Sequence, residues 1–297
     1  MEIYNITIQP SVSNGAAESP AHCDDHCRKV LATLYSIVLL GGTAGTIIMS
    51  RVLLQRNSQS IITILIANII VLHSILLVSL PFRLSYYFLL EWKFGWFTCR
   101  VISSIVYIHM YFTFVFYVTI IVLRLLIYFK KLPLQELQKF HAIALSVAIW
   151  LMGMLIFSLI FLFQYGTHTD PSQHLCFQFY EELRHTSVVV INYCMISIIM
   201  VTVLVLSVIQ LVVIMQLTKR LRPGVFTHQE FRAHINSFFF LVVIVVCFLP
   251  HHAFRVFFIQ VYFQNETSKL LLYNEVCVAL TTVCCLDMLC FIGGLVH

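Results

Sequence analysis

Seven apolar runs, each long enough to cross a bilayer as a helix, divide this chain and leave it very few possible folds. They lie at about 30–54, 61–89, 98–128, 140–163, 186–217, 234–263 and 270–294. Inside hydrocarbon every backbone N–H and C=O must be bonded within the structure, which admits only helices and closed barrels. A barrel would need alternating segments of about ten residues, and the sequence has none. The expected fold class is thus an all-α membrane protein, a seven-transmembrane-helix bundle. Its 297 residues are 60% hydrophobic and only 10% charged, far from soluble composition. Residues 1–28 are polar and lack a basic-apolar-small cleavage pattern, so the first span is expected to act as the insertion signal.

The third run carries the organisation. Cys99 and Arg124 stand at its two ends, separated by ~38 Å at ~1.5 Å per helical residue, against ~30 Å of hydrocarbon. Ser103, Tyr107, Met110, Phe114, Tyr117, Ile121 and Arg124 recur in steps of four and three, which aligns them on one stripe. The other faces are nearly as apolar. A helix of that kind, with polar groups scattered through it, is expected to be enclosed by other helices as a central post.

Seven spans put the termini on opposite sides, and loop charge assigns them. Breaks after the first, third and fifth spans hold Arg56, then Lys130, Lys131 and Lys139, then Lys219, Arg220, Arg222 and Arg232. The other breaks hold Glu91, Asp170, Glu181, Glu182 and Glu266. The positive-inside rule then gives an extracellular N-terminus and a cytoplasmic C-terminus. Both glycosylation sequons, at Asn5 and Asn265, fall outside in that arrangement. The expected division is an extracellular tail over 1–28 and the bundle over 29–297, with no further amphipathic helix or cytoplasmic tail in this chain.

Several residues resemble the rhodopsin-like (class A) G-protein-coupled receptors, and the resemblance extends over all seven spans. It rests on Trp92-Lys93-Phe94-Gly95 before Cys99, Cys176 in the fourth break, Pro81-Phe82 in span two and Trp150 in span four. Span six adds Cys247-Phe248-Leu249-Pro250-His251-His252 with Arg255, a run similar to the nucleotide- and lipid-receptor branch. The chain also departs from the family. Thr46 replaces an Asn, His73 replaces the second-span Asp, Leu123-Arg124-Leu125 replaces Asp-Arg-Tyr, and Asp287-Met288-Leu289-Cys290-Phe291 replaces the seventh-span motif. These departures bear on how such a receptor would switch, more than on its fold.

The resemblance implies a Cys99–Cys176 disulfide, G-protein coupling at Arg124 beside Lys130 and Lys131, and a core switch at His73, Phe248, Pro250 and Asp287. By family position His73 and Asp287 face one another, and a buried carboxylate without a partner is costly, so they are expected to touch. For Arg124 the competing reading is an interfacial arginine that snorkels. Arg83, Tyr107, His251, His252, Arg255, Tyr273 and Glu275 fall within about two turns of the outer face and are the expected ligand-binding set. Arg83 and Arg255 could instead reach lipid headgroups. Val106 and Thr281 stand where amine receptors and opsins carry Asp and Lys, which argues against an amine or retinal ligand. An anionic ligand suits the arginines better.

The remaining cysteines divide in two. Cys23 and Cys27 could pair with each other, pair with Cys277, or bind a metal with His22 and His26, the last being the weakest option. Cys194, Cys247, Cys284, Cys285 and Cys290 are expected simply to pack. No metal or other cofactor is expected, since neither a His-Glu-x-x-His motif nor a phosphate-binding glycine loop occurs. The expectation is a multi-pass plasma-membrane receptor that is not an enzyme. Its partners would be a heterotrimeric G protein, an extracellular ligand and the bilayer, with no nucleic acid. A heptahelical protein that signals constitutively or scaffolds is the alternative, and a transporter or channel, which would usually show paired repeats, is less favoured.

Overall fold

The computed structural model describes residues 25–56, 60–129, 139–164, 176–177, 183, 186–220, 229–262 and 268–289. Asn5, Asn265, Lys130, Lys131 and Cys23 lie outside these, as does the side chain of Cys27. Seven helices cross the molecule: α1 (Asp25–Arg56), α2 (Ile61–Leu89), α3 (Gly95–Tyr128), α4 (Lys139–Gln164), α5 (Thr186–Arg220), α6 (229–262) and α7 (268–289). All seven carry a window long and apolar enough to span a membrane. Their bounds fall within a few residues of the apolar runs, because a bilayer rewards helix wherever the chain is apolar and lets it end only where polar residues reach water.

Helix α3 is the central post. Of its span window 56% is buried, against 11% for α4 and 28% for α5. Every residue of the Ser103-to-Arg124 stripe is buried or half-buried. Around it α2 packs against α1, α3 and α4, α6 against α3 and α5, and α7 against α1 and α6. Large apolar side chains cover the perimeter: Leu40 on α1 is 74% exposed, Val78 on α2 70%, Leu151 on α4 67% and Leu204 on α5 66%. Exposure of that extent on every outer face is tolerable only against lipid.

Two helices are locally altered. In α6 a π turn over Ile244–Phe248 lies just before Pro250, and the Leu249 N–H bonds back to the Ile244 carbonyl. Proline offers no N–H and crowds the preceding turn, and the widened turn absorbs that crowding. In α7 a 3₁₀ turn over Thr282–Leu286 tightens the helix immediately before Asp287. Between α2 and α4, Asn68 accepts from Trp150 Nε1 at 2.9 Å and donates to Ser146 at 3.0 Å. The α2–α3 turn is closed by Leu90 in a left-handed cap and by Trp92 Nε1 donating to the Gly95 carbonyl at 2.7 Å.

Candidate functional site

At the Cys99 end of the bundle a disulfide joins Cys99 to Cys176, with Cα atoms 5.8 Å apart, as the resemblance implies. The bridge pins Phe177, which takes a φ of 73° unusual for a bulky residue. Its ring packs against Tyr86 and Trp92 at 5.2 and 5.7 Å and lies 4.3 Å from the Arg83 guanidinium. Arg83 is only 2% exposed. It donates to Tyr35 Oη at 3.3 Å and reaches the carbonyls of Ile102 and Ser103 at 3.5 Å, so it is held inward rather than snorkelling to headgroups.

Beside this plug, a cavity of about 490 Å³ runs between α3, α4, α5 and α6. Its walls are mostly apolar, Phe112, Met152, Ile156 and Met195 among them, with Tyr107, Tyr111, Asn192 and Arg255 as polar points. Arg255 donates through Nε to Asn192 Oδ1 at 3.4 Å and through Nη1 to Asn274 Oδ1 at 3.1 Å. Two amide oxygens orient the guanidinium without neutralising it. Glu275 lies close enough to feel both Arg83 and Arg255 yet forms an ion pair with neither among the described residues. Among these three side chains, two cations stand against one acid.

The expected ligand set is thus divided. Tyr107 and Arg255 line the cavity, whereas Arg83 lies under Phe177. His251 and His252 are buried on α6 with rings 5.2 Å apart, and the His252 ring lies 6.2 Å from Tyr111 in the cavity wall. Tyr273 does not join them. It is 55% exposed and meets Phe254 edge-on, because the rotation of α7 that turns Asn274 toward Arg255 turns its neighbour toward lipid.

Deeper in the bundle lies a polar cluster on α2, α3 and α7. His73 Nε2 is 3.2 Å from Asp287 Oδ1, so the expected contact is present, and Tyr117 donates its hydroxyl to Asp287 Oδ2. The cluster extends further than the sequence suggested. His73 Nδ1 is 2.9 Å from His109 Nε2, and that nitrogen lies 3.6 Å from Cys285 Sγ. Cys285, expected only to pack, is a polar partner here. All five side chains belong to residues no more than 3% exposed. Of the other two expected switch residues, Phe248 is fully buried in the α3–α6–α7 core and Pro250 faces outward.

Toward the opposite end, Arg124 is half-buried and makes no hydrogen bond or ion pair with any described residue, though His234 on α6 feels its charge. Gln210 on α5 donates to the His234 carbonyl at 2.9 Å, and the His234 ring stacks edge-on with Tyr128 at 5.1 Å. This α3–α5–α6 contact escaped the sequence reading. A glutamine inside the longest apolar run was its one available signal.

Comparison with known proteins decides the family. A sequence model described as 7 transmembrane receptor (rhodopsin family) matches residues 45–288, most of the chain. The chain belongs to the rhodopsin family of seven-transmembrane receptors. This receptor is similar to probable G-protein coupled receptor 141 of Homo sapiens, 37% identical over 278 residues, 93% of this chain and 91% of that protein. It is also similar to probable G-protein coupled receptor 34 of Pan troglodytes, 24% identical over 87% of this chain and 70% of that protein. A further relative is 2-oxoglutarate receptor 1 of Rattus norvegicus, 26% identical over 77% of this chain and 68% of that protein. Family and spans together make the receptor a multi-pass plasma-membrane protein.

Proposed function

We propose that this receptor binds an extracellular anionic ligand at the Cys99 end of its bundle and activates a heterotrimeric G protein at the Arg124 end. The Cys99 end is outside in this reading, following a tail over residues 1–28, as loop charge indicates. The observation that carries it is Arg255: a guanidinium on the wall of a cavity, oriented by two amides and with no paired acid among the described residues. Such a group awaits a carboxylate, phosphate or sulfate, to which it can give charge-assisted bonds in a poorly hydrated setting. Apolar walls around it suit a ligand with a hydrophobic body behind that head. The name of one relative refers to 2-oxoglutarate, itself an organic anion, and this agrees with the charge sign.

Arg124 supports the coupling half. It stands at the other end of the central helix, near the α3–α5–α6 junction formed by Tyr128, Gln210 and His234, and Leu123 supplies no acid to hold it. A ligand that draws α6 and α7 together at Arg255 and Asn274 could be felt there through α6. The reading is tested by screening carboxylate-, phosphate- and sulfate-headed amphiphiles for G-protein activation. An active compound should lose at least tenfold in potency on Arg255→Ala at unchanged surface expression. Activity equal in the variant, or confined to cationic ligands, would overturn the anionic reading.

A further inference from the structure

The buried cluster between α2, α3 and α7 contains more ligating chemistry than a hydrogen-bond network requires. One ring nitrogen each from His73 and His109, and the Cys285 sulfur, all lie within 4.8 Å of one another, and all three residues are buried. They come from three different helices. We propose that His73, His109 and Cys285 form a Zn²⁺ site that clamps α2, α3 and α7 together, with Asp287 as the carboxylate that orients His73. The proposal does not rest on the ligand or coupling reading.

Donor type comes first. Two imidazoles and one thiolate form a mixed set suited to a borderline-soft ion, and three protein ligands leave a fourth tetrahedral position for water. Spacing is the second argument. Ligands bound at ~2.0–2.1 Å through nitrogen and ~2.3 Å through sulfur in a tetrahedron lie ~3.5 Å apart along a nitrogen–sulfur edge. His109 Nε2 and Cys285 Sγ are 3.6 Å apart. The nitrogen–nitrogen edge would be ~3.3 Å, so His73 Nδ1 and His109 Nε2, now 2.9 Å apart, need open by only a few tenths of an ångström.

The surrounding shell fits as well. A ligating histidine characteristically donates its other N–H to a carboxylate, which fixes its tautomer. With His73 Nδ1 on the metal, Nε2–H points at Asp287 Oδ1, 3.2 Å away, and the second carboxylate oxygen is held by the Tyr117 hydroxyl. His109 lacks that support: with Nε2 on the metal its Nδ1 carries the proton, and Nδ1 is buried without a hydrogen-bond partner among the described residues, so this N–H calls for a bound water. Charge also closes. On binding, the Cys285 thiol releases its proton to water, and one thiolate plus the Asp287 carboxylate then balance Zn²⁺. A neutral assembly is what a membrane interior tolerates best.

The test uses full-length receptor carrying Cys23→Ser and Cys27→Ser, so that the tail's His-Cys run contributes no signal. Cells are grown with Co²⁺ in place of Zn²⁺, and the receptor is purified as a monodisperse detergent complex. We expect one metal per receptor by elemental analysis, a thiolate-to-cobalt charge-transfer band and the visible bands of a tetrahedral ion. Cys285→Ser should abolish the charge-transfer band, while Cys194→Ser, at an exposed thiol on α5, should leave it intact. Asp287→Asn should weaken metal affinity about 10–100-fold without removing the band. Monodisperse receptor with no thiolate band, or a band that survives Cys285→Ser, overturns the site. Should Cys285→Ser fail to fold, His109→Gln and the spectrum of the parent protein decide the matter alone.

Discussion

The Tyr117–Asp287–His73 arrangement can be weighed by a double-mutant cycle on α3 and α7. Asp287 is 3% exposed and accepts from two buried donors, the Tyr117 hydroxyl and His73 Nε2. Asp287→Asn keeps one acceptor oxygen but turns an NH₂ toward the second donor. One donor then loses its acceptor, which costs about 1–3 kcal/mol in a dry core. Tyr117→Phe removes one charge-assisted bond and should cost about 1.5–3 kcal/mol. Once the carboxylate is gone the tyrosine has less to lose, so the two changes together should cost at least about 1 kcal/mol less than their sum. The assay is thermal unfolding of detergent-solubilised receptor in chelator, followed with a thiol-reactive dye. Cys247, Cys284 and Cys285 are buried and label only as the core opens. Additivity within about 0.5 kcal/mol would mean the two side chains do not share a contact, and the core described above would be wrong. Basal signalling should change more than surface expression in both single variants.

Two further outcomes follow from particular positions. Leu123→Asp would place an acid beside Arg124 and should lower basal nucleotide exchange by adding a contact that favours the resting state; equal or higher output in a membrane exchange assay would refute the missing-lock argument. Gly153 on α4 lies so close to the Phe112 ring that an added Cβ would sit 2.4 Å from its tip. Gly153→Ala should therefore cost about 1–3 kcal/mol and reshape the cavity wall. An unfolding midpoint and ligand response equal to the parent's would show that α3 and α4 do not approach this closely.

Much of the architecture could be read directly from residues. The seven spans were legible because hydrocarbon leaves an apolar run no option but helix, and α3 stood out by carrying polar groups inside such a run. The His73–Asp287 contact was legible because the family resemblance sets the two positions facing one another and a buried carboxylate there needs a donor. What escaped was rotation about helix axes. Helices apolar on every side give no periodic signal of which face meets which neighbour, so Cys285 read as packing and Tyr273 as a pocket residue. Asn274 differs from Tyr273 by one position, about 100° around α7, and that step alone decides which of them meets Arg255. The division of Arg83 from Arg255 depends on Phe177, whose position follows from a disulfide and a left-handed backbone in a connecting segment. No span pattern encodes that placement.

The proposed coupling of the Arg124 end to a heterotrimeric G protein can be measured as nucleotide exchange. Its most direct test is a ligand-free exchange panel across G-protein classes on membranes carrying the receptor or Arg124→Ala at matched surface levels. Exchange above mock membranes with at least one class, lost in Arg124→Ala, is the predicted result. No exchange above mock with any class, or exchange indifferent to Arg124→Ala, would contradict it.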